Sequence, residues 1–138
     1  MASRGWKKAK SWKEQANGIA PTLVGGSKKH GGADLGPSRA RKGWKQLGVD
    51  GRSLVDEPPG PDFKGMPRLT VRMASMVQGF PEDWEFTGRK TAAYRQVGNA
   101  FPPPVAKAVG GSIVSALNKE KKAWRSGKVL ELNFEHTL

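Results

Sequence analysis

The stretch T-A-A-Y-R-Q-V-G-N-A-F-P-P-P-V-A-K-A-V-G, residues 91–110, sets Gly98, Asn99 and Ala100 in a polar turn and runs straight into a helix started by proline. Glycine lets a second group come close to the backbone, and asparagine brings both a donor and an acceptor. A turn of this make-up either holds a ligand or simply redirects the chain, and its residues alone do not decide between the two. A second set is cationic. Lys28, Lys29 and His30 lie between the glycine pairs 25–26 and 31–32, with hydroxyls at Thr22 and Ser27. Such a loop can bring amides, cations and hydroxyls to phosphates, contacts that fix register without reading sequence. Arg39, Arg41 and Lys42 are the better candidates for base edges, since arginine pairs bidentately with guanine in the major groove.

Several chemistries are excluded for this chain by composition. It has no cysteine, so it can form neither a disulfide nor a thiolate metal site and carries no thiol nucleophile. Its two histidines, His30 and His136, lie far apart with no cysteine to join them, so no metal site is expected. No two glycines stand two residues apart, which removes the minimum shared by dinucleotide cradles. Gly88-Arg89-Lys90-Thr91 lacks the glycine directly before lysine that a P-loop needs.

Charge names a partner class. The chain carries 24 Lys and Arg against 12 Asp and Glu, a net +12. Residues 1–49 hold 11 of the cations and 2 of the acids, so the first third is the electrostatic footprint. Nucleic acid is the natural partner, and a ribosomal or membrane-surface role would look similar by charge alone. No stretch approaches the roughly 18 apolar residues of a membrane span, and no apolar segment follows the basic N-terminus, so no membrane contact and a cytoplasmic location are expected.

The elements that must position these residues fall into two groups. Residues 1–66 read as a glycine-rich, mostly β or irregular region, with Trp6, Trp12 and Trp44 among lysines as core and anchor residues. Residues 19–24, I-A-P-T-L-V, are the best strand, placed at an edge by Pro21. Residues 56–62, D-E-P-P-G-P-D, form a linker by composition. Residues 67–138 read as a helical tail, which makes the expected fold class α+β. Thr70 caps a helix over 71–78 that Gly79 and Pro81 stop, and Arg68 and Arg72 read as structural residues tying this helix to the first region. A second helix begins near Pro104 and carries Val105, Val109, Ile113 and Leu117 at steps of four, ending in the basic, solvated run 119–125.

Two segments carry a resemblance to a known family. R-L-T-V-R-M-A-S-M-V-Q-G-F-P-E-D-W-E-F, residues 68–86, and Y-R-Q-V-G-N-A-F-P-P-P-V-A, residues 94–106, closely resemble the last two sequence blocks, IX and X, of DNA (cytosine-5)-methyltransferases. The likeness covers about half the chain. It extends less tightly to A-P-T-L-V-G-G-S-K-K-H-G-G, which looks like the target-recognition region ahead of block IX. Where relatives often place Glu three residues after the block IX threonine, this chain has Met73, so the helix start should rest on Thr70 alone.

The resemblance implies that Gly98, Asn99 and Ala100 line part of an S-adenosylmethionine pocket whose main cradle is elsewhere. It further implies a cysteine nucleophile, a glutamate near the ring N3 and a glycine-rich first block; this chain has no cysteine and no such glycine block, and by the resemblance blocks I to VIII are absent. An incomplete enzyme of this kind is either an excised or degenerate fragment or one subunit of a split methyltransferase. The expectation is the second, a DNA-recognising, pocket-completing small subunit of a split, AquI-type modification methylase, bound to double-stranded DNA and inactive alone. Its helical tail would complete the α/β fold of a larger catalytic subunit carrying blocks I to VIII. Charge and tryptophans alone would also suit a stand-alone nucleic-acid-binding module, which has no need of the 94–106 turn and the apolar-striped helix after it.

Overall fold

A computed structural model of the protein describes residues 5–25 and 32–125, with side chains to residue 119. The chain forms two compact units, Met1–Pro103 and Pro104–Leu138. The first contains α1 (Ala9–Gln15), α2 (Ser38–Gln46), α3 (Val71–Gln78) and α4 (Lys90–Asn99); α5 (Pro103–Arg125) makes up the described part of the second.

The first region is more helical than expected, and its β content is slight. Among the described residues the β pairing is one isolated parallel bridge, Val55 to Thr70. Residues 19–24 are not a strand. Pro21 has no N–H to give a ladder, and its ring packs against α2 instead, where a Cβ on Gly43 would lie 2.8 Å from Pro21 Cγ. What replaces the sheet is a set of extended segments tied by single bonds: Leu35 N–H to Gly51 O (3.1 Å), Leu54 N–H to Ala33 O (2.8 Å) and Val55 N–H to Leu69 O (3.0 Å). The unforeseen helices α1 and α2 are rich in Lys, Arg, Gln and Ala, all good helix formers.

These segments close around a core of Leu35, Trp44, Leu54, Leu69, Tyr94 and Val97, each nearly or wholly buried. The tryptophans are packing residues, as expected of anchors. Trp44 is buried, Trp12 donates its Nε1–H to Gly48 O (2.9 Å), and Trp6 donates to Phe63 O (3.0 Å). The 56–62 stretch and the start of the chain meet there, with Lys7 N–H bonded to Pro61 O (3.2 Å). The compact unit thus runs through residue 66 without a break.

Helix α3 has the expected bounds. Thr70 Oγ1 accepts from Met73 N–H (3.1 Å), and Gly79 leaves the helix at φ 91°, a left-handed turn that favours glycine. Met73 does more than pack. Its Sδ lies 3.5 Å from the Thr70 N–H, so sulfur takes the acceptor place of a capping-box carboxylate, and the helix start does not rest on Thr70 alone.

Helix α4 corrects the placing of Gly98 and Asn99 in a polar turn. Thr91 to Asn99 are helical, with Ala93, Tyr94 and Val97 buried on one face against the core, and the chain turns out only at Ala100. Packing of that face overrides the local glycine, and the Phe101-Pro102 step ends the helix because a residue before proline is disfavoured in α conformation. Helix α5 starts on Pro103, one residue before the expected position, and its stripe Val105, Val109, Ile113 and Leu117 is 45–55% exposed.

Candidate functional site

The end of α4 is pressed onto the 24–25 segment. A Cβ on Gly98 would collide with Gly25 N and lie 2.6 Å from both Gly25 Cα and the Val24 carbonyl carbon, all backbone atoms that cannot step aside. The close approach that Gly98 permits is therefore to the chain itself. Asn99 is exposed, and its side chain lies over the Gly25 Cα, where a Cβ would meet its amide. Ala100 gives its N–H to Gln96 O (3.1 Å) and receives at its carbonyl the Gln78 Nε2–H (2.9 Å), which ties the end of α4 to the end of α3. Exposed Asn99 can offer its side-chain amide to a ligand.

The predicted DNA-contacting residues divide. Ser27, Lys28, Lys29 and His30 lie outside the described residues. Thr22 is exposed, immediately before buried Leu23. Arg39 and Lys42 are exposed on α2, and half-buried Arg41 donates from Nη2 to Ser38 Oγ (3.3 Å). Helix α2 holds Arg39 and Lys42 outward because Trp44, roughly across the helix from them, is locked into the core, while Arg41, three residues before Trp44, lies nearer that face. Lys45, on the same helix, extends the cationic face.

A carboxylate node that sequence reasoning missed joins this face to α3. Asp50 accepts from Arg52 Nε (3.0 Å) and Nη2 (2.8 Å), and from Arg68 Nε (2.9 Å). The Arg52 guanidinium first, and Arg68 with it, hold the Asp50 carboxyl well below the ordinary carboxylate range against the opposing effect of burial. Arg68 also reaches Ser53 Oγ (3.2 Å), which makes it a tie between the 50–53 loop and the start of α3. Arg72, by contrast, meets Glu82 at 3.3 Å with both side chains well exposed, a pair worth little to stability. The signal for the node was the Asp50-Gly51-Arg52 turn, whose aspartate accepts from the backbone N–H two residues on (3.1 Å).

An open groove of about 580 Å³ runs between α3, the 82–88 segment and the start of α4, with Arg72, Met76, Trp84 and Lys90 on its walls; residues 98–100 are not among them. Among the described residues no group of three or more His, Asp or Glu could hold a metal ion, and no helix is long and apolar enough to cross a membrane.

The sequence pattern of C-5 cytosine-specific DNA methylases matches residues 4–115, and the chain belongs to that family. It is 58% identical over 123 residues to the type II methyltransferase M.NaeI of Lentzea aerocolonigenes, covering 87% of this chain and 30% of that protein. It is 47% identical over 123 residues to M.NgoMIV of Neisseria gonorrhoeae, covering 87% of this chain and 38% of that one. Over 112 residues it is 35% identical to M.Sau96I of Staphylococcus aureus, covering 78% and 25%. The chain thus spans between a quarter and two fifths of the length of these relatives. No solved structure matches it.

Proposed function

We propose that this chain is the DNA-recognising and cofactor-pocket-completing part of a bacterial DNA (cytosine-5)-methyltransferase of a restriction-modification system, acting with a larger catalytic subunit in the cytoplasm. The observation that carries the reading is a conflict. The chain belongs to a family of cytosine methylases and yet contains no cysteine to attack the base. On this reading the thiolate, the glutamate and the glycine-rich cofactor cradle come from the partner, and this chain alone is inactive.

Its own residues divide the remaining work. Arg39, Lys42 and Lys45 on α2 present charge to a duplex, with Thr22 and, outside the described residues, Ser27, Lys28, Lys29 and His30 as further contacts. At the close of α4, Asn99 offers its amide to the methionine end of S-adenosylmethionine, the group that supplies the methyl. Gly98 serves by letting the 24–25 segment lie flat on the helix end, so that the recognition region and the cofactor side form one rigid piece. Ala100 is held to α3 through Gln78. The exposed stripe of α5 is the surface for the catalytic subunit, and covering it removes apolar area from water.

Co-expression with a cysteine-bearing catalytic partner tests this. The two should purify as one complex and methylate duplex DNA, and stopping the chain after Phe86, which deletes α4 and α5, should abolish the activity. Full activity from the truncated chain would reject the pocket-completing role, and a lack of activity with every such partner would leave a simple nucleic-acid-binding module.

A further inference from the structure

The geometry points to Arg52 as a reader of guanine in the target duplex, pre-oriented by Asp50, an assignment that rests on the DNA-recognising role proposed above. Anchoring Asp50 does not require Arg52, because Arg68 already bonds the same carboxylate at 2.9 Å and is itself tied to Ser53. The Arg52 side chain is 72% exposed, so its ion pair adds little to stability. What the pair does is fix direction. Nε and one hydrogen of Nη2 are spent on Asp50, and the outer Nη1 and Nη2 edge remains as two parallel donors on this exposed side chain. That edge matches the O6 and N7 acceptors of guanine in the major groove.

The support beneath it is stiff. Arg52 N–H bonds Asp50 Oδ1 (3.1 Å), Asp50 N–H bonds Pro67 O (2.9 Å), and Gly51 O accepts from Leu35 N–H (3.1 Å). A long side chain held this way loses less rotamer freedom on binding than a free one. The surroundings fit a duplex as well. Arg52 shares a concavity of about 460 Å³ with Arg41, Lys42 and Lys45, so cations for the phosphates stand beside the fork.

The test uses the assembled enzyme. Wild-type complex methylates plasmid DNA, and bisulfite sequencing of the product defines the target. Duplexes of that target are then made with 7-deazaguanine at one guanine at a time, which deletes N7 and keeps Watson–Crick pairing. Wild type should lose about tenfold in kcat/KM at one of these guanines, within the range of a good bidentate contact. In Arg52→Met and in Arg52→Lys, which lacks the planar fork, that penalty should fall to less than about twofold while penalties at other guanines persist. Asp50→Asn should weaken the same penalty, and circular dichroism of each variant checks that the fold is kept. The inference is overturned if wild type has no guanine penalty, or if both Arg52 variants keep every penalty. It is equally overturned if they lose activity by one factor on all duplexes, the mark of a phosphate contact. A wild-type complex that methylates no duplex at all would instead bring down the proposed function.

Discussion

Replacing Gly98 by alanine separates helix propensity from packing, because the two push in opposite directions. Gly98 lies inside α4 with ordinary negative φ, so alanine there would by propensity stabilise the helix by roughly 0.5–1 kcal/mol. The new methyl, however, would sit 2.6 Å from Gly25 Cα and from the Val24 carbonyl carbon, where real contacts start near 3.4 Å. Both neighbours are backbone, so α4 or the 24–25 segment must move, an overpacking cost of about 1–3 kcal/mol. The net expectation is a loss of about 1–2 kcal/mol, at roughly 4–8 °C of Tm per kcal/mol for a unit of this size. Thermal unfolding of the full chain, followed by circular dichroism and tryptophan fluorescence, reads it. Gly110→Ala makes the same chemical change in α5 with open space around it and should not lower stability. The three atoms nearest a Cβ on Gly25 all belong to the movable Asn99 side chain, so Gly25→Ala should cost less than Gly98→Ala. A Gly98→Ala protein as stable as wild type, or more so, would refute the crossing.

Further predictions concern the caps and the titrating groups. Thr70→Ala removes the bond to Met73 N–H and should cost about 1 kcal/mol in denaturant unfolding. Asp50 has a lowered folded-state pKa, so its contribution is present above the ordinary value of 3.8 and is lost as pH falls below it. Asp50→Asn leaves half-buried Arg68 without its carboxylate, should cost about 1–2 kcal/mol near neutral pH, and should flatten the acid side of the stability profile. Tyr94 is the chain's single tyrosine, and burial, with Asp34 nearby, pushes its hydroxyl up to about 12. Its contribution is complete below about 10 and lost as pH rises through about 12, so ultraviolet titration of the folded protein should have its midpoint well above 10. The hydroxyl has no hydrogen-bond partner among the described residues, so Tyr94→Phe should be neutral or stabilising in the same unfolding assay.

Helix α3 was legible because its determinants are local: a threonine cap, an apolar face at helical spacing and a glycine stop, all within ten residues. Helix α4 was not, since its sequence carries a glycine and an asparagine near the end, and what holds it helical is burial of Ala93, Tyr94 and Val97 by segments distant in the chain. The strand at residues 19–24 failed for the same reason in reverse. A local apolar run had no neighbour offering a ladder, and Pro21 found a better partner in α2. Met73 shows that a departure from a motif by residue type can still preserve its geometry through a sulfur acceptor. The resemblance of residues 68–86 and 94–106 located the family, but the Asp50 node depends on Arg68 folding back across 18 positions, which no spacing rule contains.

Transfer of radiolabelled methyl from S-adenosylmethionine to duplex DNA, measured for this chain, for the proposed catalytic partner and for the two mixed, addresses the division of labour most directly. The account predicts label in DNA only from the mixture. Label incorporated by this cysteine-free chain alone, or by the partner at an undiminished rate without it, would contradict that division.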